Sequence, residues 1–533
     1  MSPPGARSWT HCRPAPRIRG ETPATPTILA TADPVPFEQP TEVPKDARAA
    51  RRRRWLVGLL LFIILVRLLS LGTYPLTDNT EARYAELART MVETGDWVTP
   101  RMAGGVPWWS KPPLAIWLTS VSYLAFGVNE FAARLPQLLV CLATMWLTMN
   151  LAAQRNRQTL ALRAAIVLFT SGIFFVSSGA VMTDSTLTFA TTLSMAAFWN
   201  AMTRTDRSGR TWGYVFFIGM AIGLLAKGPV GVVLTLLPCG LWTLWKRRVG
   251  DAWQRIPWLS GTLLCAALSI PWYVAAESRT PGYLEYFIIG EHWKRYTVPA
   301  WRGDMFGTAH VRPRGFIWPL AIVATLPWSV TWLGLAWKLK RRRDTPVCAP
   351  DEADWRVYLW LWMLASPVFF TGAGNILITY VLPGIPAFAL LVAEAWESLG
   401  DEGFNGLSTK IAALIVPIGG ILFVALVIPR VAHDYTHKAL VADYLARRAN
   451  ASQRLVYLKE APQSAEFYAR GNVATADTMA EFEHIVDERR GDFFVIKASE
   501  LDDEPQLKPK LTLIGQYGKF LFMRNVPAMP GAQ

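Results

Sequence analysis

A dense polar cluster, Asp78-Asn-Thr-Glu81-Ala-Arg83-Tyr84, follows the first apolar stretch of the sequence. A carboxylate at a membrane–water boundary can take a proton from a hydroxyl or an amine, and Asp78 or Glu81 could act in this way. The same spacing fits a capping box, with Asp78 as the N-cap of a helix and Glu81 three residues later. The two interpretations are compatible, and the local sequence leaves both open.

Lys111 lies between a tryptophan pair and a proline pair, in Trp108-Trp109-Ser110-Lys111-Pro112-Pro113. The apolar run after it, Leu114–Phe126, is too short to span easily, because a span takes about 20 apolar residues. We therefore expect an interfacial or re-entrant helix. Lys111 either extends its ammonium group towards water from the start of that helix or anchors a phosphate beside the bilayer.

Two further ionisable residues stand at the ends of apolar runs. Asp184 precedes a long Ser/Thr-rich run and is either the N-cap of the next helix or a second carboxylate at the outer boundary. Lys227, in Ala226-Lys227-Gly228-Pro229, is an isolated charge between two predicted spans. Such a residue is by default a functional candidate, although the Gly-Pro pair marks a turn that could expose it to water.

A second polar stretch, 291–314, combines basic and aromatic residues. It contains Glu291-His292-Trp293-Lys294-Arg295-Tyr296 and then Arg302, Asp304, His310, Arg312 and Arg314. This composition suits an anionic partner such as a lipid phosphate. His433 and His437 are spaced four apart beside Asp434, but no third ligand follows the pattern of a metal site. The sequence predicts no definite cofactor and leaves a divalent metal open.

Composition excludes several classes of protein. Of 533 residues, 52% are hydrophobic and 18% are charged, whereas an average soluble domain has about 25% charged residues. This argues against a soluble cytoplasmic enzyme and against a disordered chain. The net charge of +14 comes from short basic clusters between apolar runs, which favours the positive-inside rule over nucleic-acid binding. None of the five cysteines falls in a predicted outside loop, so we expect no structural disulfide.

The apolar runs predict a mostly α-helical, polytopic membrane protein of about eleven spans, between ten and thirteen. Residues 1–54 are Pro-rich and read as a disordered cytoplasmic tail, which ends in four arginines before the first span, Trp55–Thr73. The other spans are expected near 131–153, 160–181, 185–203, 211–226, 229–245, 257–276, 316–338, 355–373, 379–397 and 409–430.

Three outside segments remain: loops 74–130 and 277–315, and the tail 431–533. The tail alternates strand-like runs (Arg454–Leu458, Phe493–Lys497, Leu511–Leu513, Lys519–Arg524) with helical ones (Ala439–Arg448, Thr478–Arg489). It is predicted to be a small soluble α/β domain on the periplasmic side. Residues 55–430 would then form the transmembrane catalytic domain.

Several sequence features occur together and in order: Glu81-Ala-Arg-Tyr84, Gly95-Asp-Trp-Val, Lys111-Pro-Pro-Leu, Met182-Thr-Asp184, Leu225-Ala-Lys227-Gly-Pro and Tyr380-Val-Leu-Pro. With them the chain resembles the bacterial branch of the protein-mannosyltransferase-like GT-C glycosyltransferases (families 39 and 83), and within it the transferases that place 4-amino-4-deoxy-L-arabinose on lipid A. The resemblance covers roughly residues 55–400. It departs at Ser110, where relatives often have Glu, and at Asp78, which stands three residues before Glu81 rather than beside it.

The resemblance implies transfer of one sugar, with inversion, from a polyprenyl-phosphate donor to a lipid A-like glycolipid or another envelope glycan. The site would lie on the periplasmic face of the bacterial inner membrane, among membrane lipids and without nucleic acid. Implied catalytic residues are Asp78, Asp184 and Glu81. Implied donor-phosphate ligands are Lys111, Arg83, Lys227 and Arg295, and implied substrate contacts are Tyr84, Trp109, His292 and Tyr380.

Other functions remain open on the sequence. A flippase or transporter of a lipid-linked sugar would place its ionisable residues on broken helices near the membrane midplane, whereas most of those named here lie in outside loops. The same sugar transfer to a protein acceptor, and a scaffold without chemistry, are further alternatives.

Overall fold

The computed structural model describes residues 45–341, 350–399, 406–488 and 491–525, except positions 79, 156, 304 and 307–309. The expected disordered tail therefore lies outside the described residues up to position 44, as do Asp304, Cys12 and Cys348. The described part is mostly helical, as the composition predicts. Its three cysteines, Cys141, Cys239 and Cys265, are buried and free.

The first helix, α1 (Lys45–Ser70), starts well before the expected span at Trp55. Its first ten residues were predicted to belong to the disordered tail, which is wrong for this stretch. They are mainly lysine, alanine and arginine, which are strong helix formers. The helix therefore continues beyond the apolar run instead of ending where the hydrophobic residues end.

The helices that follow are short in the first outside loop and longer beyond it. They are α2 (Glu81–Thr94), α3 (Leu114–Phe126), α4 (Glu130–Ala153), α5 (Gln158–Phe169), α6 (Gly172–Ser177), α7 (Asp184–Thr203), α8 (Ser208–Lys227), α9 (Pro229–Trp245), α10 (Val249–Arg255) and α11 (Trp258–Arg279). A π-helical segment, Glu285–Lys294, then continues into α12 (Arg295–Thr297).

The remaining apolar helices are interrupted more often. They are α13 (Ile317–Ala324), α14 (Trp328–Arg341), α15 (Pro350–Phe370), α16 (Ile385–Ser398), α17 (Leu407–Leu422) and α18 (Ile428–Tyr435). A 3₁₀ segment, Ile378–Gly384, leads into α16, and a π-helical turn, Phe423–Val427, joins α17 to α18.

Five of the described helical segments are long and apolar enough to cross a membrane. A sixth is obtained if α13 and α14, which meet at 87°, form one bent span. The figure of about eleven spans is not confirmed by this criterion, because several apolar runs are broken or short. The run 160–181 divides into α5 and α6, and α9 has 17 residues.

A central bundle of α7, α8 and α9 positions the residues of interest. Most of α7 is buried, and its Thr188 and Thr192 hydroxyls donate to the carbonyl oxygens of residues 184 and 188 at 2.8 and 2.7 Å. The glycines let α8 and α9 approach closely, because a Cβ on Gly231 would lie 3.0 Å from the Cα of Gly223. The start of α7, the end of α8 and the start of α9 therefore meet at one end of this bundle.

The carboxyl-terminal region contains a five-stranded sheet of order β2-β1-β3-β5-β4. Strands β1 to β3 are parallel, and β5 runs antiparallel to β3 and β4. The predicted strands are found, together with a further short edge strand that the sequence did not suggest. In chain order the elements are α19 (Lys438–Arg447), β1 (Leu455–Leu458), α20 (Gln463–Tyr468), β2 (Val473–Ala476), α21 (Met479–Asp487), β3 (Phe493–Lys497), α22 (Ala498–Asp502), β4 (Leu511–Tyr517) and β5 (Phe520–Asn525).

Candidate active site

A cavity of about 450 Å³ lies where the α8–α9 junction meets the π-helical segment 285–294 and the 3₁₀ segment 378–384. Its lining combines polar and apolar side chains. The polar lining includes Lys111, Lys227, Glu291, His292, Arg295 and Tyr380. Val230, Val233, Ile288 and Phe370 contribute to the apolar lining. We call this space the charged cavity.

Glu291 is the centre of an ion cluster inside the charged cavity. Its Oε2 accepts a hydrogen bond from Lys111 Nζ at 2.6 Å and one from Arg295 Nη1 at 3.1 Å. Tyr286 donates its hydroxyl to Oε1 at 3.3 Å. The Glu291 side chain is fully buried, so its negative charge fixes both cations at one place. The sequence placed Glu291 in a basic patch but gave it no role of its own.

The pKa values in this cluster follow from burial and from the paired charges. Burial alone would raise the pKa of Glu291, but Lys111 and Arg295 outweigh it and lower that pKa to about 2. Burial lowers the pKa of Lys111, a shift that Glu291 opposes and Arg295 reinforces. Glu291 is therefore an anion at neutral pH, and its low pKa makes it a weak base.

Asp184 and Lys227 form a second ion pair at the same end of the central bundle. Lys227 Nζ lies 2.5 Å from Asp184 Oδ1 and 4.8 Å from the centre of the Tyr380 ring. Asp184 is the first residue of α7, and Thr183 occupies the N-cap position. The expected N-cap is therefore wrong. A carboxylate in the first turn still benefits from the helix dipole.

The chain reverses sharply beside this pair because of Gly228. Gly228 has φ 84°, and a Cβ there would lie 2.6 Å from the Phe287 ring. Pro229 then begins α9. His292 contacts both segments at this turn: its Nδ1 lies 2.8 Å from the Phe287 carbonyl oxygen and its Nε2 lies 3.1 Å from the Lys227 carbonyl oxygen. Its ring thus joins the end of α8 to the π-helical segment.

The first outside loop brings Arg83 and Tyr84 next to the charged cavity. Arg83 Nη1 donates to the Phe306 carbonyl oxygen at 2.7 Å and its guanidinium stands over Trp108. Tyr84 is buried, and its pKa is raised by burial and further by the carboxylate of Asp184. Trp109 does not line the cavity and donates its indole N–H to the Thr280 hydroxyl at 3.1 Å.

Asp78 and Glu81 are engaged elsewhere. Asp78 accepts hydrogen bonds from the Ser464 backbone N–H at 2.7 Å and from its hydroxyl at 2.8 Å, so it caps α20 of the carboxyl-terminal region. Glu81 forms a bidentate pair with buried Arg134 at 2.7 and 2.8 Å. Helix α2 begins without a side-chain cap. The predicted capping box is therefore wrong, because the carboxylate of Asp78 turns to the distant α20 instead of its own helix.

No cluster of three metal-ligating side chains occurs among the described residues. His437 is buried with Nδ1 2.9 Å from the Tyr457 hydroxyl, and burial lowers its pKa to about 4. His433 lies 3.7 Å from Asp434. The two histidines that could have formed a metal pair thus have separate partners.

The mostly helical fold is of the GT-C type, as its structural neighbours show. Over 90% of its length the chain superposes on the crystal structure of ArnT from Cupriavidus metallidurans bound to undecaprenyl phosphate, with a TM-score of 0.72 and 21% sequence identity. The match covers 99% of that chain. The apo structure of the same protein gives a TM-score of 0.70.

Sequence comparisons lead to the same group. Residues 55–287 match the family model of dolichyl-phosphate-mannose-protein mannosyltransferases. The undecaprenyl phosphate-α-4-amino-4-deoxy-L-arabinose arabinosyl transferase 1 of Pseudomonas fluorescens is 29% identical over 64% of this chain. Its counterpart in Pseudomonas aeruginosa strain UCBPP-PA14 is 31% identical over 65%. The matches span 58% and 60% of those relatives. The resemblance stated from the sequence is confirmed.

Proposed function

We propose that this protein is a membrane glycosyltransferase that moves a single sugar from a polyprenyl-phosphate donor to a lipid A-like glycolipid. The observation that carries the proposal is the charged cavity, in which Lys111, Lys227 and Arg295 line the same space as several apolar side chains. A lipid phosphate has the matching form, with an anionic head on an apolar chain. The named relatives act on undecaprenyl phosphate-linked 4-amino-4-deoxy-L-arabinose, which makes that compound the first donor to test.

The two ion pairs suggest how the donor binds. In the structure, Glu291 pairs with both Lys111 and Arg295, and Asp184 pairs with Lys227. A donor phosphate entering the cavity competes for the same cations. Pairing of the phosphate with Lys227 would release Asp184, while Glu291 keeps the other two cations in position. Preorganised cations of this kind stabilise charge that develops on a leaving group.

The reaction then needs one displacement and one proton transfer. The acceptor hydroxyl attacks the anomeric carbon, and its proton passes to Asp184. The bond between the anomeric carbon and the phosphate oxygen breaks, and its electron pair leaves with the lipid phosphate. Attack opposite the leaving group inverts the configuration. We assign Asp184 as the base because Asp78 and Glu81 are hydrogen-bonded to Ser464 and Arg134 instead.

Topology completes the proposal. We propose about eleven membrane spans between residues 55 and 430, with the charged cavity at the periplasmic boundary of the inner membrane. Residues 431–533 form a periplasmic domain around the five-stranded sheet, and basic clusters at the other helix ends face the cytoplasm. Neither ion pair lies in the middle of a long helix, which favours a transferase over a transporter.

Transfer assays in membranes test this function. Membranes that contain the wild type or a variant receive radiolabelled undecaprenyl phosphate-4-amino-4-deoxy-L-arabinose and lipid A. We expect Lys111→Ala and Asp184→Asn to lower kcat by about 10²-fold or more. Lys294→Ala is the matched control, because this lysine is exposed on the same segment and does not line the cavity.

Two results would contradict the proposal. One is transfer by Lys111→Ala at the wild-type rate. The other is a wild-type protein that transfers no sugar from this donor or from polyprenyl-phosphate mannose to any lipid or protein acceptor, while it moves the donor across a vesicle membrane.

A further inference from the structure

A second polar cavity, of about 500 Å³, lies at the far end of the central bundle. It is formed where α7 and α9 end, around residues 200–203 and Trp242. The charged cavity lies at the other ends of these helices. Helix α7 has 20 residues, which corresponds to about 30 Å, the thickness of the bilayer core. Helix α8 runs between the same two ends, also has 20 residues and is apolar enough to cross a membrane, so we place the two cavities at opposite membrane boundaries. We call the second one the arginine cavity.

Four arginines line the arginine cavity: Arg155, Arg204, Arg248 and Arg255. Two of them meet at one atom, because Arg248 Nη2 and Arg255 Nη1 donate to the Met202 carbonyl oxygen at 3.2 and 3.3 Å. Arg255 also donates to the Arg204 carbonyl oxygen at 2.9 Å. The guanidinium groups are thus gathered around the last turn of α7.

The acidic side chains near this cluster do not balance it. Asp251 pairs with Arg248 at 2.8 Å, and Asp354, which lines the cavity, pairs with Lys246 at 2.6 Å. Among the described residues, Arg204 and Arg255 form no ion pair, and the hydrogen bonds of their side chains go to amide, hydroxyl and backbone oxygens. These neutral partners satisfy N–H groups without a charge of their own. Asp206, which is exposed and accepts a hydrogen bond from Ser208, acts on Arg204 from beyond ion-pair distance and compensates its charge only in part.

A helix C-terminus explains part of this arrangement, because cations are favourable beside exposed carbonyl oxygens. It accounts for one cation at the end of α7, not for several guanidiniums around a shared polar space. Like charges gathered in this way are unfavourable unless an anion is bound among them. The planar fork of arginine matches phosphate oxygens in particular.

The surroundings of the cavity indicate where such a phosphate comes from. Trp245 and Trp253, on either side of the cavity-lining Arg248, are 71% and 73% exposed, and the neighbouring Leu244 is 65% exposed. Exposed tryptophans beside leucines are typical of the headgroup level of a bilayer. Basic pockets between membrane helices on the cytoplasmic side are suited to anionic lipid headgroups. The cavity is therefore at the depth of a phospholipid phosphate.

We propose that the arginine cavity binds the phosphate headgroup of an anionic phospholipid from the leaflet opposite the active site. The lipid would neutralise Arg204 and Arg255 and hold the ends of α7 and α9 together. It takes no part in sugar transfer, and this binding does not depend on the function proposed above.

Lipid binding to the purified full-length protein tests the proposal. The protein in neutral detergent is titrated with phosphatidylglycerol or phosphatidylcholine, and bound lipid is counted by native mass spectrometry while the thermal midpoint is recorded. We expect phosphatidylglycerol to be retained and to raise Tm, and phosphatidylcholine to do neither. Arg204→Gln should weaken phosphatidylglycerol binding about five- to tenfold, as expected for loss of one charge-assisted contact.

The controls separate binding from folding. Arg207→Gln removes an exposed arginine that is three residues after Arg204 and does not line the cavity. This variant should bind phosphatidylglycerol as the wild type does. Arg204→Lys keeps the charge without the fork and should recover part of the binding if Arg204→Gln proves unstable. Equal binding by Arg204→Gln and Arg207→Gln would overturn the proposal, as would equal retention of the two lipids. Stabilisation by inorganic phosphate without retention of phosphatidylglycerol would overturn the lipid assignment.

Discussion

Replacing Asp78 with Asn should leave sugar transfer within about threefold of the wild-type rate and should mainly weaken the attachment of α20 to the first outside loop. Asp78 accepts two hydrogen bonds from Ser464, at 2.7 and 2.8 Å. Asn retains one acceptor oxygen for the backbone N–H. The backbone N–H of Asp78 also donates to the Tyr435 carbonyl oxygen at 2.8 Å, and this bond survives the substitution.

The magnitude follows from the loss of a helix cap. Asp78→Ala removes both hydrogen bonds and should cost about 2 kcal/mol, whereas Asp78→Asn should cost under about 1 kcal/mol. Ser464→Ala removes the hydroxyl's hydrogen bond to Asp78 and also the one that the hydroxyl accepts from the His437 backbone N–H at 2.8 Å, so it should cost more than Asp78→Asn. Because the two residues touch, a double-mutant cycle should give a coupling energy of about 1 kcal/mol.

The assay measures transfer rate and thermal midpoint for Asp78→Asn, Ser464→Ala and the double variant in the same membranes. A catalytic base contributes about 10²- to 10⁴-fold to a rate. If Asp78→Asn lowered kcat by that factor while Ser464→Ala left it unchanged, a purely structural role for Asp78 would be wrong. Asp78 would then have to leave Ser464 during the reaction and act in place of Asp184.

Three other perturbations test separate parts of the structure. Glu81→Gln should destabilise the fold by about 3 kcal/mol, measured by thermal unfolding, because it leaves the buried Arg134 guanidinium without a counter-charge; a shift no larger than that of Glu460→Gln, at an exposed position, would refute this. Burial, reinforced by Glu86 and opposed by Arg89, raises the pKa of Glu466 to about 7, so the folded state holds this proton more tightly than the unfolded chain. Stability that is fully present below about pH 4.5 should therefore decline as the pH rises through 7, and Glu466→Gln should abolish that decline in a pH series of unfolding midpoints; an unchanged slope would contradict it. Glu291→Gln should release Lys111 and Arg295 from their counter-charge and change donor KM more than Lys294→Gln does in a transfer assay, whereas equal KM values would show that the Glu291 cluster does not contact the donor.

The sequence predicted which charged residues matter at the charged cavity, but not which residues they pair with. Lys111, Asp184 and Lys227 were singled out because a charged group beside an apolar run needs an explanation, and the structure brings all three to one end of the central bundle. Their roles stay predictions. The pairing of Lys111 with Glu291 crosses 180 positions, and no local pattern reports a contact at that separation.

Asp78 and Glu81 show the opposite case. Their spacing indicated a local capping box, and local hydrogen bonding is all that such a pattern can express. Their partners, Ser464 and Arg134, lie 386 and 53 positions away. Which of two competing partners a carboxylate takes is decided by the packing of the carboxyl-terminal region on the first loop, which the hydrophobic pattern leaves unspecified. The division of apolar runs into short helices escaped prediction for the same reason, since breaks such as the one between α5 and α6 depend on tertiary contacts.

Helix α20 connects the carboxyl-terminal region to the first outside loop, which contributes Lys111 to the charged cavity. Tyr468 of α20 accepts the Leu76 backbone N–H at 2.8 Å and donates to Glu130 at 3.0 Å, while Ser464 binds Asp78. These contacts fix both flanks of the segment that leads into α2. Helix α2 in turn places Tyr84 against the Asp184 carboxylate. A region without a residue in the charged cavity therefore holds the loop that carries Lys111 into that cavity. Under the proposed function, changes at α20 should act on sugar transfer through the position of this loop.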